Sequence, residues 1–570
     1  MRTIIFKSIF AALTAIPAAC WGAALQESAV HPSTSAAGSF PAFMQAGRQA
    51  DAASKKIELY TKAIEVFSDE KPADKAAAYT SRGDAYCDLK KCGPALYDYT
   101  KAIELDPAYA PAYAGRAMVY CGLKSPGKAL ADGNKAIGLA PGYSPAYVAR
   151  ANAYLGLAKY TKALADLAKA AELDPAYAPV YYIRGCVYDE QNAYGKALTE
   201  YSKAIELRPV YPDAYNNRGA AYAKLGQAGK ALADYSEAIK LNPDHLEAYG
   251  NRGGNYYSAG QYELSEADYS KYIALAPNAA IGYSARAVAR IALNQFEKAI
   301  EDCSKAISID PTDPTPIINR GAAQEGLGRY DQALVDYAAA LKLSPENVTA
   351  NFDLGTAYSK LAKYDNAVKY FDATLKQDPK YVNAYINRAM SYGRLGQHLK
   401  ALADCDMALS LKPDSVEAYN IRGSMRAELK EYDKAIADFS RGIALAPRNT
   451  ELYTNRAIIY KKSGRQEKAI EDYTTAIDKD PNYLLAYVNR SNEYNELKQW
   501  QKAIEDCDKA IALGSDDTWA YNNRGYAYSN LGEYKKAIAD FNKALRLDPY
   551  NKKADINRRE AYEKMERTGR

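Results

Sequence analysis

The sequence predicts an all-α solenoid, and three observations carry that prediction. Residues Tyr215 to Pro243 read YNNRGAAYAKLGQAGKALADYSEAIKLNP, and sliding this stretch by 34 residues in either direction keeps it in register from Gly83 to Arg559 without an insertion. Small residues (Gly219, Ala231, Ala238) and aromatics (Tyr215, Tyr222, Tyr235) recur at the same offsets. A proline such as Pro243 closes thirteen of the fourteen full units, Ser515 being the exception. A fixed period of this length marks stacked supersecondary units, each touching only its neighbours. One elongated body follows, and its function is to be sought on a surface made by stacking, not in a single catalytic pocket.

Residues 1–24 open with Arg2 and Lys7 around an apolar run from Ile4 through Ala19, which resembles a secretory signal peptide. The run is too short for a comfortable membrane span. Two processing outcomes are open. One is cleavage after the small residues Gly22 and Ala24; the other is lipidation at Cys20, because Pro17-Ala18-Ala19-Cys20 resembles a bacterial lipoprotein box with Pro17 where Leu is usual. Either outcome predicts an exported protein, periplasmic, envelope-associated or secreted if bacterial. Residues 25–50, with Pro32-Ser33-Thr34-Ser35 and Gly38-Ser39, read as a flexible leader.

Residues 51–75 match only the second half of a unit, KKIELYTKAIEVF from Lys55 to Phe67, and predict a lone capping helix over the first full unit. Fourteen units fill residues 76–551. In each, a first apolar-periodic helix (helix A), punctuated near its middle turn as at Gly226, Gly260 and Gly328, is followed by a second (helix B) that ends at the proline. Residues 552–570 begin as another helix A at Ile556-Asn557-Arg558, become strongly charged and lack a second helix, which predicts a solvated C-terminal cap.

The composition excludes several function classes. Lys and Arg number 74 against 69 Asp and Glu, so no global field favours nucleic acid. The three histidines, His31, His245 and His398, fall in unrelated positions and suggest no metal cluster. Of eight cysteines, Cys303, Cys405 and Cys507 share position twenty-four of units seven, ten and thirteen, too far apart to bridge, and read as core thiols. Cys87, Cys92 and Cys121 form the one near cluster. No Gly-rich phosphate loop, His-Glu metal signature or nucleophile elbow occurs. The reading is a protein that is not an enzyme and uses no cofactor.

Position eight is Gly, Ala or Ser in all fourteen units, and position twenty is Ala in all but one, where it is Ser265. Small side chains let the two helix axes approach, and Tyr at positions four and eleven fills the space between them. The order aromatic, small, aromatic, Ala, aromatic, Ala, Pro resembles the tetratricopeptide repeat over 476 consecutive residues. That resemblance implies a right-handed α-solenoid superhelix of helix-turn-helix units. Two departures are informative. Tyr replaces the usual Trp, and Arg replaces the usual Leu at position seven in thirteen units, from Arg82 to Arg524. Twelve units carry Asp at position twenty-three and another has Glu200; unit nine alone lacks both partners, with Leu354 and Tyr370 instead. The paired loss predicts charge-assisted links from helix A to helix B, Arg82 to Asp98 and Arg218 to Asp234 among them. Unit six, with Ser265 and the bulky Tyr272 where Ala is normal, predicts a change of pitch near residues 246–279.

In the tetratricopeptide repeat family the A helices line the concave side, so their positions two, five, six, nine and twelve are the ones to read for a ligand. In units two to four these include Met118, Val148, Leu155 and Tyr182, an apolar groove. From unit five onward the sixth position becomes Asn in Asn217, Asn251, Asn319, Asn387, Asn455, Asn489 and Asn523, with Asn557 continuing the row in the cap. A side-chain amide can donate to and accept from a peptide backbone, so such a ladder can hold an extended polypeptide with little regard to its sequence. The row resembles the asparagine ladder in the superhelical repeat region of O-linked N-acetylglucosamine transferases, and that region only. The competing reading is that these amides meet solvent or a neighbouring helix. Lys at position two or five, which the chaperone-tail clamp of some three-repeat proteins needs, is absent from all fourteen units. The expected function is a non-catalytic scaffold for a protein or peptide, with no nucleic acid partner and membrane contact only through lipidation of Cys20. The alternative is a structural spacer or assembly factor in a cell-envelope complex, making contacts by its convex face or ends.

Overall fold

The computed structural model describes residues 39–66, 72–514 and 516–568. The expected signal peptide, Cys20, His31, Phe67 and the unit-closing Ser515 lie outside the described residues. Thirty-one α-helices follow one another in the described chain, with no strand among them. The chain divides into two compact segments, one ending at Leu327 and the other beginning at Gly328. The boundary falls in the A–B turn of repeat eight.

The first segment opens on a hairpin that the repeat register did not reveal. Residues 40–49, read from sequence as part of a flexible leader, form α1 (Phe40–Gln49), which pairs with α2 (Ala53–Glu65). The expected lone capping helix therefore has a partner. Phe40, Phe43 and Met44 gather on Tyr60, Ala63 and Ala78, and Gly47 lies so close to the Tyr60 ring that a Cβ there would stand 2.5 Å from it. Burial of that aromatic cluster orders residues whose local sequence signals only a loop. Repeat one then runs through α3 (Pro72–Asp88) and α4 (Cys92–Leu105), and each later repeat adds two helices until α31 (Lys552–Thr568).

Within a repeat, the turn is set by one backbone conformation. Position fifteen has a left-handed φ in all fourteen repeats, at Gly226 (+73°) and Gly260 (+76°) but also at Ala158 (+53°) and Ala362 (+57°). The glycines that punctuate each unit thus sit in the A–B turn, where a side chain is disfavoured and yet tolerated.

Helix A and helix B then pack by matching a hole to a ring. Gly83, Gly219, Gly355 and Gly525 at position eight lie under Tyr99, Tyr235, Phe371 and Phe541 at position twenty-four, each leaving no room for a Cβ (2.8–2.9 Å to the ring). Where position twenty-four is the smaller Cys303, Cys405 or Cys507, position eight is Ala287, Ala389 or Ser491. These three thiols are fully buried and form no disulfide. The same volume exchange accommodates Tyr272 of repeat six: Gly282 of repeat seven stands where other repeats have Ala or larger, and a Cβ there would be 2.7 Å from the Tyr272 ring. Because the swap conserves volume, the packing at this joint demands no change of repeat spacing.

The position-seven arginines join three helices, not two. Arg218 donates through Nε and Nη2 to both oxygens of Asp234 on its own helix B, each at 2.8 Å, and through Nη1 to Ser202 of the preceding repeat at 3.2 Å. Arg82 holds Asp98 in the same fork at 2.8 Å. Arg252 reaches back to Ser236, Arg490 to Thr474 and Arg524 to Asp508. Burial lifts the carboxyls of Asp98, Asp268 and Asp540 above their ordinary value, even with a guanidinium in contact. Desolvation therefore takes back much of what the pairing gives, and the fork chiefly fixes geometry. In repeat nine Leu354 is buried instead, and Tyr370 stacks on Tyr358 at 5.5 Å with planes 6° apart.

Candidate functional site

Sequence reading placed the ligand face on the A helices, and the structure shows what those positions do. The sixth-position amides are tied to the preceding repeat. Asn217 donates to the Tyr182 hydroxyl at 3.1 Å, Asn251 to Asn216 at 3.0 Å, Asn319 to Ser284 at 3.3 Å and Asn455 to Asn420 at 2.9 Å. Asn523 reaches the Val488 carbonyl at 3.3 Å, and Asn557 reaches Asn522 at 3.0 Å. In every case the acceptor belongs to position five of the repeat before. Asn387 and Asn489 are half-buried on the same row. The ladder is thus bonded along its own length, from helix A to helix A. Its unspent capacity is carbonyl oxygen: Oδ1 of Asn251 and of Asn319 is buried with no protein partner. A polar fifth position 35 residues before the Asn is the signal that sequence reading passed over.

The expected apolar groove is mostly interior. Val148 and Tyr182 are each 1% exposed and belong to the packed core of repeats three to five, with Tyr182 against Tyr211 at 4.9 Å. Met118 and Leu155 are half-buried. Small residues at positions five and six, Ala114, Gly115 and Ala149, are fully buried, and the A helices of repeats two and three pack directly on one another. That close approach closes over side chains which the family's concave-face positions assigned to a groove.

A cavity of about 830 Å³ opens instead at the starts of the A helices in the first segment. Phe40, Met44 and Arg48 of α1 line one side, Thr80 and Asp84 of α3 another, and Tyr109, Tyr143 and Tyr177 a third. The three tyrosines occupy position thirty-four, the N-cap of the next helix A, and none makes a capping bond. Later repeats place Asp313, Asn347, Ser415 and Asp517 there, and each of those caps its helix. Tyr211, Tyr381 and Tyr483 hold the same position, also without a side-chain cap, so Tyr there belongs to the repeat pattern and does not by itself mark the cavity. Asp84 accepts the Tyr99 hydroxyl at 2.6 Å, and its charge, after burial, helps to raise the Tyr177 phenol.

The thiols offer no nucleophile. Burial pushes Cys87, Cys121 and Cys186 up to about 12, and none of the seven described cysteines is in a disulfide. Among the described residues no group of His, Cys, Asp and Glu has the arrangement to hold a metal ion, and no helix is long and apolar enough to cross a membrane.

Hairpins with a glycine-seated ring, an A–B fork and a cross-repeat amide define the chain as an α-helical repeat protein. Profiles described as tetratricopeptide repeat match residues 212–245, 280–313, 450–483 and 518–551, residues 325–391 and 386–450, and residues 144–177 and 246–279. One described as TPR repeat matches residues 185–226. Together they span more than half of the sequence, and the chain belongs to the tetratricopeptide repeat family. No curated protein sequence matches it. Among solved structures it is similar to a chain of the APC/C hetero-tetramer Cut9-Hcn1, with 16% identity, a TM-score of 0.43 and coverage of 89% of this chain and 98% of that one. It is similar to YrrB, described as a TPR protein with an unusual peptide-binding site, with 26% identity, a TM-score of 0.29 and coverage of 33% and 96%. A chain of Naa15/Naa10 bound to HypK-THB is similar with 15% identity, a TM-score of 0.40 and coverage of 92% and 90%. These scores carry no argument about partners.

Proposed function

We propose that this chain is a non-catalytic scaffold that holds an extended polypeptide on its helix-A face. The observation that carries the reading is the cavity of about 830 Å³ at the A-helix starts, within the size range of ligand sites and walled by Tyr109, Tyr143 and Tyr177 with Asp84 and Arg48. Family membership supports it, because tetratricopeptide repeats are interaction modules. The B helices also expose apolar residues, Val335 with Leu343 and Leu399 with Met407 and Leu411 among them, and these are the contacts the spacer reading would use.

Pull-down from the native organism tests the reading. A Asn387→Ala, Asn455→Ala, Asn489→Ala variant and a Tyr143→Ala variant are expected to lose the partners that wild type captures, whereas Val335→Ser with Leu399→Ser keeps them. Partners lost only in the second pair would favour the spacer reading, in which the convex face makes the contacts. Export is part of the proposal. The N-terminus of the protein recovered from cells is expected at Leu25, or at a lipidated Cys20, and an intact Met1 would remove it.

A further inference from the structure

The second segment carries a smaller cavity, of about 230 Å³, where the A helices of repeats thirteen (Leu484–Glu496) and fourteen (Thr518–Asn530) meet the start of α31. Its walls differ in hydrogen-bonding sense. On the repeat-thirteen side, Asn495 is 5% exposed and spends its N–H on the Asn523 carbonyl at 2.9 Å. That bond fixes which way the amide points, since a carbonyl accepts nothing from another carbonyl, and Oδ1 of Asn495 is left with no protein partner. Asn492 likewise gives its N–H to Glu496 at 3.2 Å. Glu496 pairs with Lys461 at 2.9 Å, a lysine it shares with the buried Glu493 at 2.5 Å, and accepts from Gln466 at 2.8 Å; burial raises its carboxyl, these contacts bring it below the usual range, and Lys498 lines the cavity beside it. On the opposite wall, Asn522 accepts the Asn557 N–H through its Oδ1 at 3.0 Å and so presents its own N–H groups, beside the exposed Lys553. Between the walls Trp500 meets Tyr526 edge to face, centroids 6.0 Å apart, and Tyr526 is 37% exposed.

We propose that this cavity is a binding site for a neutral sugar ring. A hydroxyl both donates and accepts, so adjacent ring hydroxyls satisfy the acceptor wall and the donor wall together. The C–H face of the same ring covers the aromatic pair. A carboxylate or phosphate brings no donor to Asn495, an alkylammonium brings no acceptor to Asn522, and an aliphatic side chain leaves both walls unpaired at the cost of buried polar groups. The site lies in repeats where the sixth-position ladder is already bonded, and it does not depend on the polypeptide reading.

Trp500 in the lining makes intrinsic fluorescence the readout on the full chain. Cellobiose, maltose, lactose and chitobiose are titrated into wild type, Asn492→Ala, Tyr526→Ala and Trp519→Phe, whose folding is checked by circular dichroism. At least one disaccharide is expected to give a saturable change with Kd on the order of 1 mM, about tenfold or more weaker in Asn492→Ala and Tyr526→Ala and retained in Trp519→Phe. No saturable response to any of the four, or an equal response in both cavity variants, overturns the proposal. So does saturation by N-acetyl-alanyl-alanine amide with none by the sugars, which would make the cavity a peptide subsite.

Discussion

At the scale of residues, the Arg–Asp fork shows how an interaction can be frequent without being a large source of stability. Asp234 is buried and its charge is tolerable only beside Arg218. Arg218→Leu is expected to cost about 2–4 kcal/mol, because it strands that carboxylate. Arg218→Leu with Asp234→Tyr, which installs the pair native to repeat nine, is expected to recover most of the loss in urea titrations. Equal losses in the two variants would mean that the fork has no coupled partner. The residue pattern made the pairing legible, because Arg and acid disappear together at Leu354 and Tyr370. It also held the third contact: position twenty-five is Ser, Thr, Asn or Asp except at Ala168 and Ala338, and Ala338 precedes the one repeat without an Arg. His245 was less legible. It is 1% exposed between Asp213 and Glu247, each at 3.3 Å. Burial opposes its charge, but the two carboxylates more than offset it and raise its pKa to about 9. Since the unfolded value is about 6.5, its contribution to stability is full below that pH and is lost as pH rises through about 9. With three histidines in the chain, an imidazole proton resonance titrating near 9 checks the assignment.

At the scale of elements, the turn at position fifteen decides where helix A ends. Eight repeats place a side chain in a left-handed conformation there, and six use glycine. Ala158→Gly and Ala362→Gly are each expected to stabilise their hairpin by about 0.5–1 kcal/mol, relief of strain exceeding the added flexibility of the unfolded chain. Gly226→Ala is expected to lose a similar amount, and a denaturation midpoint that moves the other way in either case contradicts the account. Helix α1 was missed for a physical reason: it keeps no register with the repeat, and what orders it is the cluster around Tyr60. The tyrosines at the cap positions were missed for another reason: Tyr109, Tyr143 and Tyr177 share that position with Tyr211, Tyr381 and Tyr483, and only the packing of α1 beside them makes a cavity of the first three.

At the scale of the whole molecule, a linear array stores its stability in nearest-neighbour interfaces, so unfolding need not be a single event. Native-state hydrogen exchange is expected to show the least protection in α1 and α31, which have a neighbour on one side only, and more in the interior repeats of each segment. Uniform protection along the chain would contradict this. The sequence by itself determined the family, the hairpin unit, the count of repeats and the A–B fork. Each of these repeats at a fixed spacing, and periodic repetition in one chain acts as an internal comparison. The seating of the position-twenty-four rings on the position-eight glycines was seen only in the structure. Only the tertiary structure decided which side chains of helix A remain available. Val148 and Tyr182 turned inward because neighbouring A helices approach over Ala and Gly, and the ladder amides were spent on the repeat before. Availability depends on distances between repeats, and a sequence records spacing along the chain, not across it.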